Sequence, residues 1–147
     1  MASESTTKVQ VKILPTNDPS LPPLVLQITQ MVDTYMLWVG TADSDTRSDD
    51  IGAGERAVLT GNLCKDWACA MPPRVPGAPS SATPLFRASS SDVALSMAQR
   101  LAKRFQKQIF LSVDIPSRFD TMGQGHQLVF EAEKGIVAAL KEIESKE

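Results

Sequence analysis

Two cysteines, one histidine, a pair of adjacent aspartates and a pair of glycines are the residues of this 147-residue sequence that chemistry would draw on first. Cys64 and Cys69 are spaced C-x4-C. A four-ligand zinc site needs further thiolates or imidazoles, and the only histidine, His126, is distant. Cys69, between Ala68 and Ala70 in an apolar run, reads as a small core residue, and Cys64 as a loop thiol. His126 stands at the entrance of a helix with no nucleophile or orienting carboxylate near it to make it a general base. Gly52-Ala-Gly54-Glu-Arg56 lacks the third glycine of a dinucleotide fingerprint and the lysine–hydroxyl pair of a phosphate loop. Asp49 and Asp50 have the form of a metal-binding pair, but an acidic surface segment accounts for them without further assumptions. The expectation is a protein with no catalytic, cofactor or metal site, and no enzyme activity of its own.

The chemistry that remains is that of binding. From Val93 to Phe105 apolar residues recur at three-and-four spacing, which predicts a helix with one buried face. Arg100, Lys103, Arg104 and Lys107 recur on its other side as a cationic stripe, and no Asp or Glu lies between Val93 and Val113 to form the usual i,i+4 pairs. A solvated helix face explains such a stripe; so does an acidic partner that sits opposite. At Ile109 the period changes to two, and Ile109 to Ile115 reads as a strand beneath that helix.

The rest of the chain supplies elements to hold this unit. Lys8 to Leu14, Leu24 to Met31 and Tyr35 to Gly40 read as strands, the last two joined as a hairpin through Val32, Asp33 and Thr34. Trp67 to Met71 reads as a fourth strand and Ala82 to Phe86 as a short edge strand, where Pro84 is tolerated. Ser89, Ser90, Ser91 and Asp92 are competent N-caps for the helix that follows. Pro116 to Gly125 reads as a loop, and a closing helix is expected over about Gln127 to Glu144. The expected fold is α+β: a mostly antiparallel sheet of five to six strands with two helices packed on one face. One domain over 1–147 is expected, with mobile loops at about 41–62 and 72–90.

In the third strand Tyr35, Leu37 and Val39 point one way and Met36 and Trp38 the other, so both faces are apolar. Two helices cover only one. Leaving the other to water exposes several large side chains, each at a cost of roughly 1.5–3 kcal/mol relative to burial, and such a patch marks a protein interface. Leu26, Ile28, Met36 and Trp38 are therefore expected in the core or at a dimer contact. Arg100, Lys103, Arg104 and Lys107 are expected to steer a client or partner.

Hydrophobic residues at 42% and charged residues at 22% fit a folded domain and argue against wholesale disorder. A net charge of −2 argues against nucleic-acid binding. Neither a signal peptide nor a membrane span is expected from the apolar runs. With two cysteines and no disulfide framework, cytosol or nucleus is the expected location.

Leu37-Trp-Val-Gly40, the segment Met97 to Gln108 (MAQRLAKRFQKQ) leading into IFLSVDI (Ile109 to Ile115), and LVFEAEKGIVAALKEIE (Leu128 to Glu144) together resemble the proteasome assembly chaperone 4 family. Ala68-Cys-Ala-Met71 falls in the matching order. The resemblance implies a non-enzymatic chaperone of 20S proteasome core-particle assembly. It implies a heterodimer with proteasome assembly chaperone 3, and contact with alpha-type subunits, alpha 5 in particular, while the alpha ring is built. The ending Glu144-Ser-Lys-Glu147 lacks the hydrophobic–tyrosine tail of other assembly factors, so surface patches are expected to engage the client. The alternative is a dimerising α+β adaptor that serves another complex; a remoter one is an enzyme whose site a second chain completes.

Overall fold

The computed structural model describes residues 6–42, 52–87, 92–116 and 118–146. Asp43, Asp45, Asp49 and Asp50, and the expected caps Ser89, Ser90 and Ser91, lie outside them. Six strands, β1 (Lys8–Leu14), β2 (Leu24–Met31), β3 (Thr34–Thr41), β4 (Asp66–Met71), β5 (Ser81–Arg87) and β6 (Gln108–Asp114), form one sheet in the order β1-β2-β3-β6-β4-β5. Only β3 and β6 run parallel; every other pair is antiparallel. The helices are α1 (Ala53–Thr60), α2 (Val93–Phe105), the single turn α3 (Arg118–Thr121) and α4 (Gly125–Ser145). The architecture is α+β with a mostly antiparallel sheet.

The first face of the sheet is the core. Leu24, Leu26 and Ile28 of β2, Tyr35, Leu37 and Val39 of β3, and Ile109, Leu111 and Val113 of β6 alternate onto it. α2 closes it with Ala94, Met97, Ala98, Leu101, Ala102 and Phe105, and α4 with Leu128, Ala132, Ile136, Ala139, Leu140 and Ile143. The apolar stripes read from sequence are thus the buried ones.

The hairpin register decides which residues share a face. Its turn holds two residues, Val32 and Asp33, with Asp33 in the left-handed region at φ 49°, so Met31 pairs with Thr34 and Ile28 with Leu37. A turn that also took in Thr34 would have set Ile28 opposite Trp38. A shift of one residue exchanges the faces of a strand, and here it sends Leu26 and Ile28 into the core at 0% exposure.

α1 lies inside the segment expected to be a loop, and it covers part of the second face, over β1, β2 and β3. Its docking surface is made of small residues. Gly54 seats on Val11, where a Cβ would lie 2.7 Å from Cγ1. Gly61, just after the helix, packs on the Trp38 ring, and Gly40 lies beneath the same ring. The segment that follows is tied down by hydrogen bonds from Ser112 Oγ to the Leu63 carbonyl (2.6 Å), from the Asn62 amide to Asp114 Oδ2 (2.7 Å) and from Trp38 Nε1 to the Asn62 carbonyl (3.4 Å). Trp38 is consequently buried, at 6% exposure.

α2 begins without help from its own N-cap: Asp92 makes no side-chain cap bond. The orphan amide of Ala94 instead donates to Asp66 Oδ2 of β4 at 3.2 Å, and Asp66 is itself buried. A carboxylate at a helix N-terminus both accepts a free amide and complements the dipole. Asp66→Ala is expected to lower stability by about 1–2 kcal/mol, measured by urea unfolding. Gly61→Ala is expected to displace the Trp38 ring and cost about 1–3 kcal/mol, with a shift in tryptophan emission that Ala57→Ser, a control on α1, does not give.

Candidate interface on the second sheet face

Beyond the reach of α1, one row of side chains crosses the whole sheet: Val9, Thr29, Met36, Phe110, Cys69 and Thr83 stand in register from β1 to β5. Met36, Phe110 and Cys69 are half-buried. Around them Trp67 pairs with Phe86, which is 46% exposed, while Met71 is 47% and Val9 59% exposed. Gln108 Nε2 contacts Cys69 Sγ at 3.4 Å and closes one side of the row. The indole N–H of Trp67 is buried and has no partner among the described residues. The arrangement offers a flat apolar band of the kind that buries itself against another sheet face about 10 Å away.

Of the four apolar residues singled out from sequence, Met36 alone reaches this band. Leu26 and Ile28 belong to the core on the opposite face, and Trp38 is shut beneath Gly61 and Asn62. These three have no surface to give a partner. Phe110, Trp67, Met71 and Phe86 are the members that sequence reasoning passed over. The signal was present: Phe110 sits on the side of β6 otherwise given to Ser112 and Asp114, and an aromatic there has no business with the core.

The cationic stripe is divided rather than unbroken, because α4 supplies the acids that α2 lacks. Arg100 grips Glu133 with two hydrogen bonds, Nε to Oε1 at 2.6 Å and Nη2 to Oε2 at 3.1 Å. Lys107 pairs with Glu144 at 3.2 Å and lies 5.0 Å from the centre of the Tyr35 ring. Burial alone would lower the Lys107 pKa, but hydrogen bonds to Glu144 and Tyr35 outweigh it and the net shift is upward. Burial pushes the Tyr35 hydroxyl above its usual value, against the pull of Lys107. Lys103 and Arg104 remain exposed in the last turn of α2. His126 and Cys64 are exposed and Cys69 half-buried, and both cysteines are free thiols.

Comparison with known proteins places this geometry. A chain from the crystal structure of a novel chaperone complex for yeast 20S proteasome assembly shares the fold with a TM-score of 0.61. The match covers 93% of this chain and 97% of that one at 17% sequence identity, a likeness of fold. No curated protein matches the sequence. The family model described as Proteasome assembly chaperone 4 matches residues 23–115, which run from the start of β2 through α1 and α2 to the end of β6 and take in every member of the row but Val9. With well over half of its length inside that span, the chain belongs to the proteasome assembly chaperone 4 family.

Proposed function

We propose that this chain is a non-enzymatic chaperone of 20S proteasome core-particle assembly, acting in the cytosol or nucleus as one half of a heterodimer with proteasome assembly chaperone 3. The partner covers the open row of the second sheet face, and the pair holds alpha-type subunits, alpha 5 in particular, during alpha-ring formation. One observation carries the reading: in a member of this family, Met36, Phe110, Trp67 and Phe86 form an apolar band that the chain's own α1 leaves uncovered. Templating needs no chemistry. Binding energy alone orients subunits for correct neighbour contacts and disfavours wrong ones.

Lys103 and Arg104 are the cations of the stripe assigned to the client, since Arg100 and Lys107 are engaged by α4. An exposed pair of this kind acts chiefly on encounter rate and register.

The chain expressed with assembly chaperone 3 is expected to elute as a one-to-one complex, and the tagged complex to bring alpha-type subunits with it. Phe110→Glu places a charge in the centre of the band and is expected to weaken the heterodimer by about 2 kcal/mol or more, read by calorimetry, with unchanged circular dichroism. A full-affinity complex of that variant would remove the band from the interface. Lys103→Glu with Arg104→Glu is expected to slow client association and flatten its salt dependence. Reversal in the last turn of α2 costs about 0.3–1 kcal/mol per charge, so the double variant should still fold.

A further inference from the structure

The sheet ends in two edges, and the chain treats them differently. In β5, Pro84 removes a backbone donor, and the pairing with β4 slips between Trp67 and Ala68. Proline and an irregular register are devices that stop further strands from adding. β1 has neither. All seven of its residues pair in unbroken register with β2, and among the described residues its other edge carries no backbone hydrogen bond to a further element. Seven residues at a rise of about 3.4 Å give roughly 24 Å of edge, along which alternate residues direct N–H and C=O outward.

A trough runs between this edge and α4. One cavity of about 300 Å³ lies beside Leu14 and Gly135, another of about 340 Å³ lies beside Lys8 and Lys146, and Lys12 and Glu142 line both. At the first, Leu14 fills the notch over Gly135, and Ala138 beside it adds little bulk. The trough is positive on a chain whose net charge is −2. Lys8, Lys12, Lys134 and Lys146 face Glu131 and Glu142, and Glu142 is already gripped by Lys12 at 3.0 Å and by Lys146 at 3.1 Å.

We propose that the β1 edge and its trough take an extended acidic peptide segment of another protein, which adds to the sheet as a further strand. Backbone hydrogen bonds along β1 hold the segment, and alternate side chains enter the trough. The end at Leu14 and Ala138 receives an apolar side chain, and Lys8, at the other end, a carboxylate. Charge selects the occupant. Lys8 and Lys12 repel the same strand of a second copy, and by the same sign they attract a strand that carries Glu or Asp. This surface meets the row on the second face only at Val9, whose side chain points away from the trough, and the proposal does not depend on which protein covers that band.

The test titrates the whole chain with a fluorescein-labelled octapeptide that alternates Glu with Val, and with its counterpart carrying Lys for Glu. Fluorescence anisotropy is read at low ionic strength, and amide exchange is followed in the complex. The acidic peptide is expected to bind and to slow exchange of the amides from Lys8 to Leu14. Lys8→Glu is expected to weaken binding by about tenfold or more. Ala138→Trp, which fills the trough from an exposed helix position, is expected to do the same while thermal unfolding stays unchanged. Equal affinity for the Lys peptide, binding that leaves β1 exchange untouched, or no binding up to about 1 mM peptide would overturn the proposal. So would a dimer of the free chain that protects the same amides, since the occupant would then be a second copy.

Discussion

A six-stranded sheet has two faces, and every residue that improves one by alternation exposes its neighbour on the other. This chain makes both faces apolar and has helix enough for one of them. α2 and α4 are long and carry full stripes of buried residues, so the first face is covered except along β1 at its edge. α1 is eight residues long and buries only Ala53 and Gly54. Through Gly54 it covers Val11 and Ile13, and the segment that follows it closes over Trp38. What stays open is the row through Met36 and Phe110, and each half-buried side chain in it forgoes only a part of the roughly 1.5–3 kcal/mol that full burial gives. The proposed interface is a remainder of the fold, fixed by how far one short helix reaches.

How far this was legible in the sequence depends on where each signal is stored. β1 and β2 occupy the very residues their alternation marks, and β6 lies one residue earlier than expected, because a strand whose side chains alternate between two faces announces itself by its period. α1 did not announce itself. Its docking side is Ala53, Gly54 and, beyond its end, Gly61, and a surface that fits by lacking side chains leaves no apolar period to read. The hairpin turn was read one residue too long at Thr34. That residue separates a Leu26 and Ile28 on the partner's side from a Leu26 and Ile28 in the core. The open band was legible in kind, as too much apolar surface for two helices, while its membership waited on register.

The cationic stripe shows the same division between local and distant information. Reading along α2 finds no acid within a turn of any cation, and it correctly finds no i,i+4 pair. Glu133 lies 33 residues beyond Arg100 in sequence, so the pairing exists only once α4 has packed. Both pairs advance in the same direction, Arg100 to Glu133 and then Lys107 to Glu144, which means that α2 and α4 run parallel. Their carbonyl ends therefore meet at one end of the molecule. Two such ends each carry a partial negative charge, and Lys103, Arg104, Lys107 and Lys146 gathered there offset it.

That structural role limits what the two uncommitted cations contribute to function. Part of their field is spent on the helix ends, and the rest is screened within about 8 Å at physiological salt. Steering over that range changes how often a client arrives in a useful orientation and adds little to how firmly it is held. In the heterodimer proposed above, firmness resides in the band, where aromatic and sulfur-bearing side chains desolvated by a partner give an interface its slow dissociation. A factor that templates an assembly and then leaves needs these two functions on different surfaces. The partner contact must outlast many encounters, whereas the client contact must yield when the next subunit competes for it. The fold meets that requirement by geometry: the band lies on one face of the sheet, and the cations lie on a helix that covers the other.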